Sequence, residues 1–171
     1  GGEVAQRFAI ENTNSVERLL LFNTTSKTGP WLRDIGEGWN LSIDNSLNYY
    51  LTTIPVIYSP GFYEKNQQWM EDRKKLLTAG PFNDREFLEA MVRLTRSAEN
   101  HDTEKELHRI KCPTLIVGGE EDYLTPLKEQ RILKDGIPNS ELVILSGCGH
   151  ASMYEKPSLF TSLVLGFVNY S

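Results

Sequence analysis

The sequence is poor in cysteine, in positive charge and in long apolar runs, and each shortage removes a class of protein. Two cysteines, Cys112 and Cys148, cannot make the disulfide framework that holds small secreted domains together. His101 and His108 lack the paired Cys or His spacing of tetrahedral zinc ligation, so no metal and no cofactor is expected. No apolar stretch approaches the length of a membrane span, and no signal peptide opens the chain, so a cytoplasmic protein is expected. Lysine and arginine number 18 against 23 acids, a formal charge of −5. That balance argues against nucleic acid or an anionic membrane surface as the main partner. Internal repeats, low-complexity tracts and flexible linkers are absent too, which points to a single unit. With 39% hydrophobic and 24% charged residues over 171 positions, the chain carries enough apolar material for one real core.

What is present is a pair of short apolar runs, each ending in a turn that carries an ionisable residue. Thr114 to Val117 is followed by Gly118-Gly119-Glu120-Glu121-Asp122, and Leu142 to Leu145 by Ser146-Gly147-Cys148-Gly149-His150. Runs without polar alternation are expected of strands buried on both faces of a parallel sheet. Asp122 and His150 then lie just past the C-terminal ends of two strands, the edge at which open α/β sheets bind ligands. A third buried strand is expected over Val16 to Phe22. It follows a helix over Gly2 to Glu11 that presents Val4, Ala5, Phe8 and Ala9 on one face. A final helix, with Leu159, Phe160, Leu163, Val164, Phe167 and Val168 along one side, is expected to pack on the sheet.

Between Gly29 and His108 the periodicity is helical. Trp39, Ile43, Leu47, Tyr50, Leu51 and Ile54 recur at helical intervals until Pro55 stops the run. Glu64 to Leu77 reads as a charged amphipathic helix. Asn83 or Asp84 can cap a third, in which Phe87, Leu88, Met91, Val92 and Thr95 form one face. Trp31, Trp39, Tyr49, Tyr50, Tyr58, Tyr63 and Trp69 also fall here. Most are expected to glue this segment to the core, and two or three to face a substrate pocket. The expected division is a core of residues 1–28 and 109–171 with a helical cap inserted over about 29–108.

Pro113 to Asp122 with Pro126, then Gly149-His150 with Glu155-Lys156-Pro157 and Phe160, resembles the C-terminal half of an α/β-hydrolase. More narrowly, it is similar to the capped lipase, esterase and enol-lactonase branch. That resemblance implies a Ser, acid, His order along the chain, with the serine in a G-x-S-x-G elbow. It implies Asp122 as the triad acid and His150 as the general base. Among Glu120, Glu121 and Asp122, the family pattern of glycine, two residues, then aspartate selects the last. Gly1 to Ala9 resembles the helix that directly follows the elbow, so Gly1 would be the closing glycine and the serine would precede this chain.

The expectation is therefore a partial α/β-hydrolase fold. It would be the C-terminal portion of a serine hydrolase of small carboxylic esters, lactones or related acyl substrates, supplying Asp122 and His150 and inactive alone. Its partner would be the missing N-terminal half or a second copy, paired along an exposed strand edge. The alternative is a non-catalytic binding or oligomerising module of the same fold. Cys148, two residues from His150, raises the thought of a Cys-His pair, but such neighbours rarely reach nucleophile-to-base geometry, and neither cysteine is expected to react.

Overall fold

In the computed structural model, which describes residues 1–169, three strands form one parallel sheet. They run in the order β1 (Leu19–Phe22), β2 (Thr114–Gly119) and β3 (Ser140–Leu145). Leu19 lies opposite Thr114 and Thr114 opposite Ser140, so β2 and β3 end level, with Gly119 beside Leu145. That level finish brings the turn after β2 and the loop after β3 to one edge.

All six residues of β2 are buried, as a central strand of unbroken apolar character should be. Its neighbour β3 is different. Glu141 is exposed and Ile144 is 42% exposed, so the expectation of burial on both faces holds for β2 and fails for β3, an outer strand. The ladder of β1 begins at Leu19, whose N–H donates to the Pro113 carbonyl, and Val16 lies outside it.

Alternate side chains of the strands feed two apolar layers. On one face Leu19, Leu21 and Ile116 pack with α1 (Gly2–Glu11) and α7 (Leu127–Gly136) through Ala9, Ile10, Leu133 and Ile137. On the other face Leu115, Val117 and Leu145 meet Leu163 and Phe167 of α9 (Pro157–Val168). The buried side of α1 keeps Ala5 and Ala9 of the face read from the sequence and loses Val4 and Phe8. Ala9, Ile10 and the fully buried Gln6 face inward, whereas Val4 and Phe8 are 73% and 52% exposed. Gln6 tolerates burial because Nε2 donates to the Thr25 carbonyl and Oε1 accepts from the Thr103 hydroxyl.

Five helices are inserted between β1 and β2: α2 (Pro30–Leu41), α3 (Ser46–Thr53), α4 (Pro60–Lys65), α5 (Gln67–Ala79) and α6 (Arg85–Ala98). The single run expected from Trp39 to Ile54 is two helices. Ser42 Oγ donates to the Trp39 carbonyl as α2 ends, and Asn45 caps α3 by accepting the Asn48 N–H, each at 2.9 Å. Leu47 and Leu51 consequently point outward, and Tyr49, Tyr50 and Thr53 take the buried side. Glu64 to Leu77 splits likewise at Asn66, whose Nδ2 donates to the Phe62 carbonyl. Asp84 caps α6 by accepting from Glu86 and Phe87. The insertion has its own core around Tyr50, Tyr58, Met70, Phe82 and Leu88.

The chain leaves for the insertion and returns from it side by side. Lys27 and Asp102 form an antiparallel bridge with a 2.7 Å ion pair, flanked by Thr28 N–H to the His101 carbonyl and Thr103 N–H to the Ser26 carbonyl. No described helix is long and apolar enough to cross a membrane.

Candidate active site

The turn after β2 makes its acid from local material. Asp122 Oδ1 accepts the backbone N–H of Leu124 at 2.9 Å and of Thr125 at 3.0 Å, and Oδ2 accepts the Thr125 hydroxyl at 2.9 Å. The carboxylate is withdrawn from solvent, with a side-chain exposure of 0%. Burying a carboxylate is costly unless donors compensate, and these three do so. Its two acidic neighbours are employed otherwise. Glu120 accepts from the Ser146 hydroxyl and the Gly147 N–H, bonds that hold its carboxyl below the usual range, the hydroxyl contributing most. Glu121 N–H donates to the Cys148 carbonyl.

The loop after β3 then delivers the imidazole. His150 Nδ1 lies 2.9 Å from Asp122 Oδ2, so the structure brings together the two residues singled out by the sequence. Because that carboxylate already accepts from three donors, the network assigns the ring proton to Nδ1. Nε2 is left as the ring's proton acceptor on a side chain that is 31% exposed. The loops approach main chain to main chain at Gly119, where a β-carbon would run into the carbonyl oxygens of Cys148 and Gly149. Glycine is required there by the space alone.

The backbone around His150 is supported from remote parts of the chain. Asn23 Nδ2 donates to the carbonyls of Gly149 and His150, both at 2.9 Å. Asn23 sits just past β1 in the left-handed region, φ 47°, which asparagine tolerates better than most residues. The Ile57 carbonyl accepts from His150 N–H at 2.8 Å and Ala151 N–H at 3.1 Å, and Glu155 Oε1 accepts the Gly149 N–H. Sequence reasoning passed over Asn23 and Ile57, and Glu155 entered it only as part of a motif. The available signal was the amide following an apolar strand, since a buried side chain there needs partners of its own.

Both cysteines are free and buried. Burial pushes the Cys148 thiol up to about 12, and its Sγ–H donates to the Gly149 carbonyl, so it is no thiolate nucleophile. Among the described residues no hydroxyl or thiol hydrogen bonds to His150 Nε2, and Ser26 and Ser152 are 0% and 1% exposed. No cluster of three or more His, Cys, Asp or Glu that could hold a metal ion occurs among the described residues. Trp31 of the insertion reaches the site's rim, where its Nε1–H donates to the Tyr123 carbonyl beside the acid.

An imidazole oriented in this way by a desolvated carboxylate can take a proton at Nε2 and return it, the carboxylate stabilising the intervening imidazolium. Residues 63–157, which include Asp122 and His150, match the family described as alpha/beta hydrolase fold. The structure superimposes with a TM-score of 0.97 on MGS-M2, an α/β hydrolase enzyme from a Medee basin deep-sea metagenome library. That protein is 51% identical over all of this chain and 62% of its own. YisY of Bacillus subtilis, an AB hydrolase superfamily protein, is 41% identical over 70 residues, 41% of this chain and 26% of its own length. RutD of Cronobacter turicensis, provisionally named a carbamate hydrolase, is 24% identical over 96% of this chain and 61% of its own length. The chain thus spans less than two thirds of each of these relatives.

Proposed function

The chain belongs to the α/β-hydrolase fold family, and from that membership we propose that it is the acid-and-base portion of a serine hydrolase of small carboxylic esters, lactones or related acyl compounds. The observation that carries the reading is the 2.9 Å bond between a fully desolvated Asp122 and His150. In this reading a serine outside these 171 residues attacks the acyl carbon while its proton passes to His150 Nε2. The tetrahedral intermediate then expels an alcohol, which receives that proton, and water repeats the sequence to release the acid. Asp122 holds the Nδ1–H throughout, fixing the tautomer of the neutral ring and stabilising the imidazolium. The oxyanion donors belong with the serine. The helical insertion serves as the cap over the acyl site, with Trp31 and Tyr123 at its margin. The name given to the Cronobacter relative makes carbamates one substrate group to assay, because they pass through the same kind of tetrahedral step.

The same reading supplies a cover for the outer edge of β1. A groove of about 720 Å³ runs there, lined by Val4, Phe8, Val16 and Leu20. Open strand edges beside exposed apolar side chains are surfaces that proteins pair or cover. A strand from the serine-bearing segment fits this position, and a second copy of the chain is the competing occupant. A well-folded monomer in sedimentation at low concentration would exclude the copy.

The test is fluorophosphonate labelling of the chain with and without the segment proposed to precede Gly1, beside a His150→Ala control. Expected is no label on the chain alone and His150-dependent label on a serine of the added segment. Label on a residue of this chain, such as Ser26 or Ser152, would overturn the reading.

A further inference from the structure

The loop carrying His150 is fastened to the helical insertion by a carboxylate that the proton-transfer scheme does not use. Glu155 ends the short helix α8 (Ser152–Glu155), five residues after the base. Its Oε1 accepts two backbone N–H groups, Gly149 at 3.0 Å and Ser59 at 3.1 Å, and its Oε2 accepts the Ser59 hydroxyl at 2.5 Å. Ser59, 1% exposed, is also the N-cap of α4, accepting the Phe62 N–H. One oxygen therefore joins an amide of the insertion to the amide immediately before the base.

The surrounding contacts make this joint stiff. Two residues before Ser59, the Ile57 carbonyl receives the N–H groups of His150 and Ala151. A β-carbon on Gly149 would stand 2.5 Å from the Ser59 nitrogen and 2.8 Å from Glu155 Oε1, so the two segments touch through their backbones. Beside Glu155, Tyr154 takes the guanidinium of Arg73, from α5, over its ring at 4.6 Å, and the same guanidinium lies 5.2 Å from the Trp69 ring. The insertion thus grips α8 on one side and the base loop on the other. Any shift of residues 57–59 pulls on the main chain at Gly149 and His150.

We infer that Glu155 is a positioning residue: it couples the seating of the helical insertion to the orientation of the His150 imidazole. This rests on the Asp122 and His150 pairing described above. Removing the carboxylate strands the amides of Gly149 and Ser59 without an acceptor, and loops relax to recover water when buried donors lose partners. The imidazole would then leave Asp122 although neither residue of the pair has changed.

The experiment is proton NMR of the chain with ¹⁵N-labelled histidine, reading the His150 Nδ1–H resonance, with Asp122→Ala to identify it. Backbone amide exchange at Ile116 reports whether the sheet is intact. Expected are loss of the resonance in Glu155→Ala with Ile116 still protected, and its retention in Glu155→Gln, whose carbonyl oxygen accepts both amides. Ser59→Ala, which keeps both amide contacts on Glu155 and loses the hydroxyl, should give faster exchange of the same proton, and it decides the matter if Glu155→Ala does not fold. An unchanged resonance in Glu155→Ala, or in Ser59→Ala should that variant have to decide, overturns the role of Glu155 and leaves the pairing standing. Absence of any Asp122-dependent resonance in the parent chain overturns the pairing itself, and the coupling with it.

Discussion

The two loops that meet at the site are held in opposite ways. Asp122 is fixed by its own neighbours, the amides of Leu124 and Thr125 and the Thr125 hydroxyl, all within three residues. The backbone around His150 is fixed by Asn23, Ile57 and Glu155, two of which lie about a hundred residues or more away. An acid that brings its own donors costs no long-range ordering. An imidazole hung on a glycine-rich loop needs the folded molecule around it before its position is defined.

The largest effect should come from forcing the two loops apart. Gly119→Ala places a methyl against the Cys148 and Gly149 carbonyl oxygens. We expect a loss on the order of 3 kcal/mol in urea unfolding, the upper range for overpacking, together with loss of the His150 Nδ1–H signal. Next, Asn23→Ala removes two hydrogen bonds, one buried and one partly so, and puts alanine at φ 47°. A destabilisation of about 2 kcal/mol is expected, of which Asn23→Gly should recover the backbone part, roughly 1 kcal/mol. Thr125→Val sharpens the contrast from the acid side. It deletes one hydroxyl donor and leaves both amides on Asp122, so a cost of about 1 kcal/mol with the imidazole pairing retained is expected. Equal loss of the pairing in Asn23→Ala and Thr125→Val would erase the distinction between the loops.

The smallest expected effect concerns the frame both loops share. Burial pushes the His101 imidazole, at the root of the insertion, below its ordinary value of 6.5. The folded chain therefore binds that proton less readily than the unfolded chain. Stability should be level above pH 6.5 on this account and fall as the pH drops below it toward the lower folded-state value. Thermal melts at pH 7.5 and 5.5 should differ less in His101→Gln than in the parent chain.

How much of this was legible in the sequence follows the same contrast. Thr114 to Val117 announced a strand buried on both faces because every residue of β2 is buried, and the resemblance to the family pattern of glycine, two residues, then aspartate picked out Asp122, whose support is local. Helix existence was legible from periodicity, as was the Asp84 cap of α6, whereas the breaks inside the two longer runs were not. Ser42, Asn45 and Asn66 end or begin helices through side-chain bonds to nearby backbone, a local competition that an apolar count ignores. The buried face of α1 was read only in part, through Ala5 and Ala9, because Gln6 owes its place to Thr25 and Thr103, partners fixed only by the fold. For the same reason Asn23 and Ile57 went unseen: their importance lies in carbonyls and amides brought to them by the tertiary structure.

The most direct test of the proposed Asp122 and His150 assignment is a double-mutant cycle on p-nitrophenyl ester hydrolysis, in the chain joined to the serine-bearing segment proposed to precede Gly1. Residues acting as one proton-transfer unit have strongly non-additive effects. Asp122→Asn and His150→Ala should each reduce kcat/KM by on the order of 10⁴-fold, and the double variant should be no worse than the poorer single. Losses that multiply in the double variant, or single variants that retain near-parent rates, would contradict the assignment of these residues as acid and base of one site.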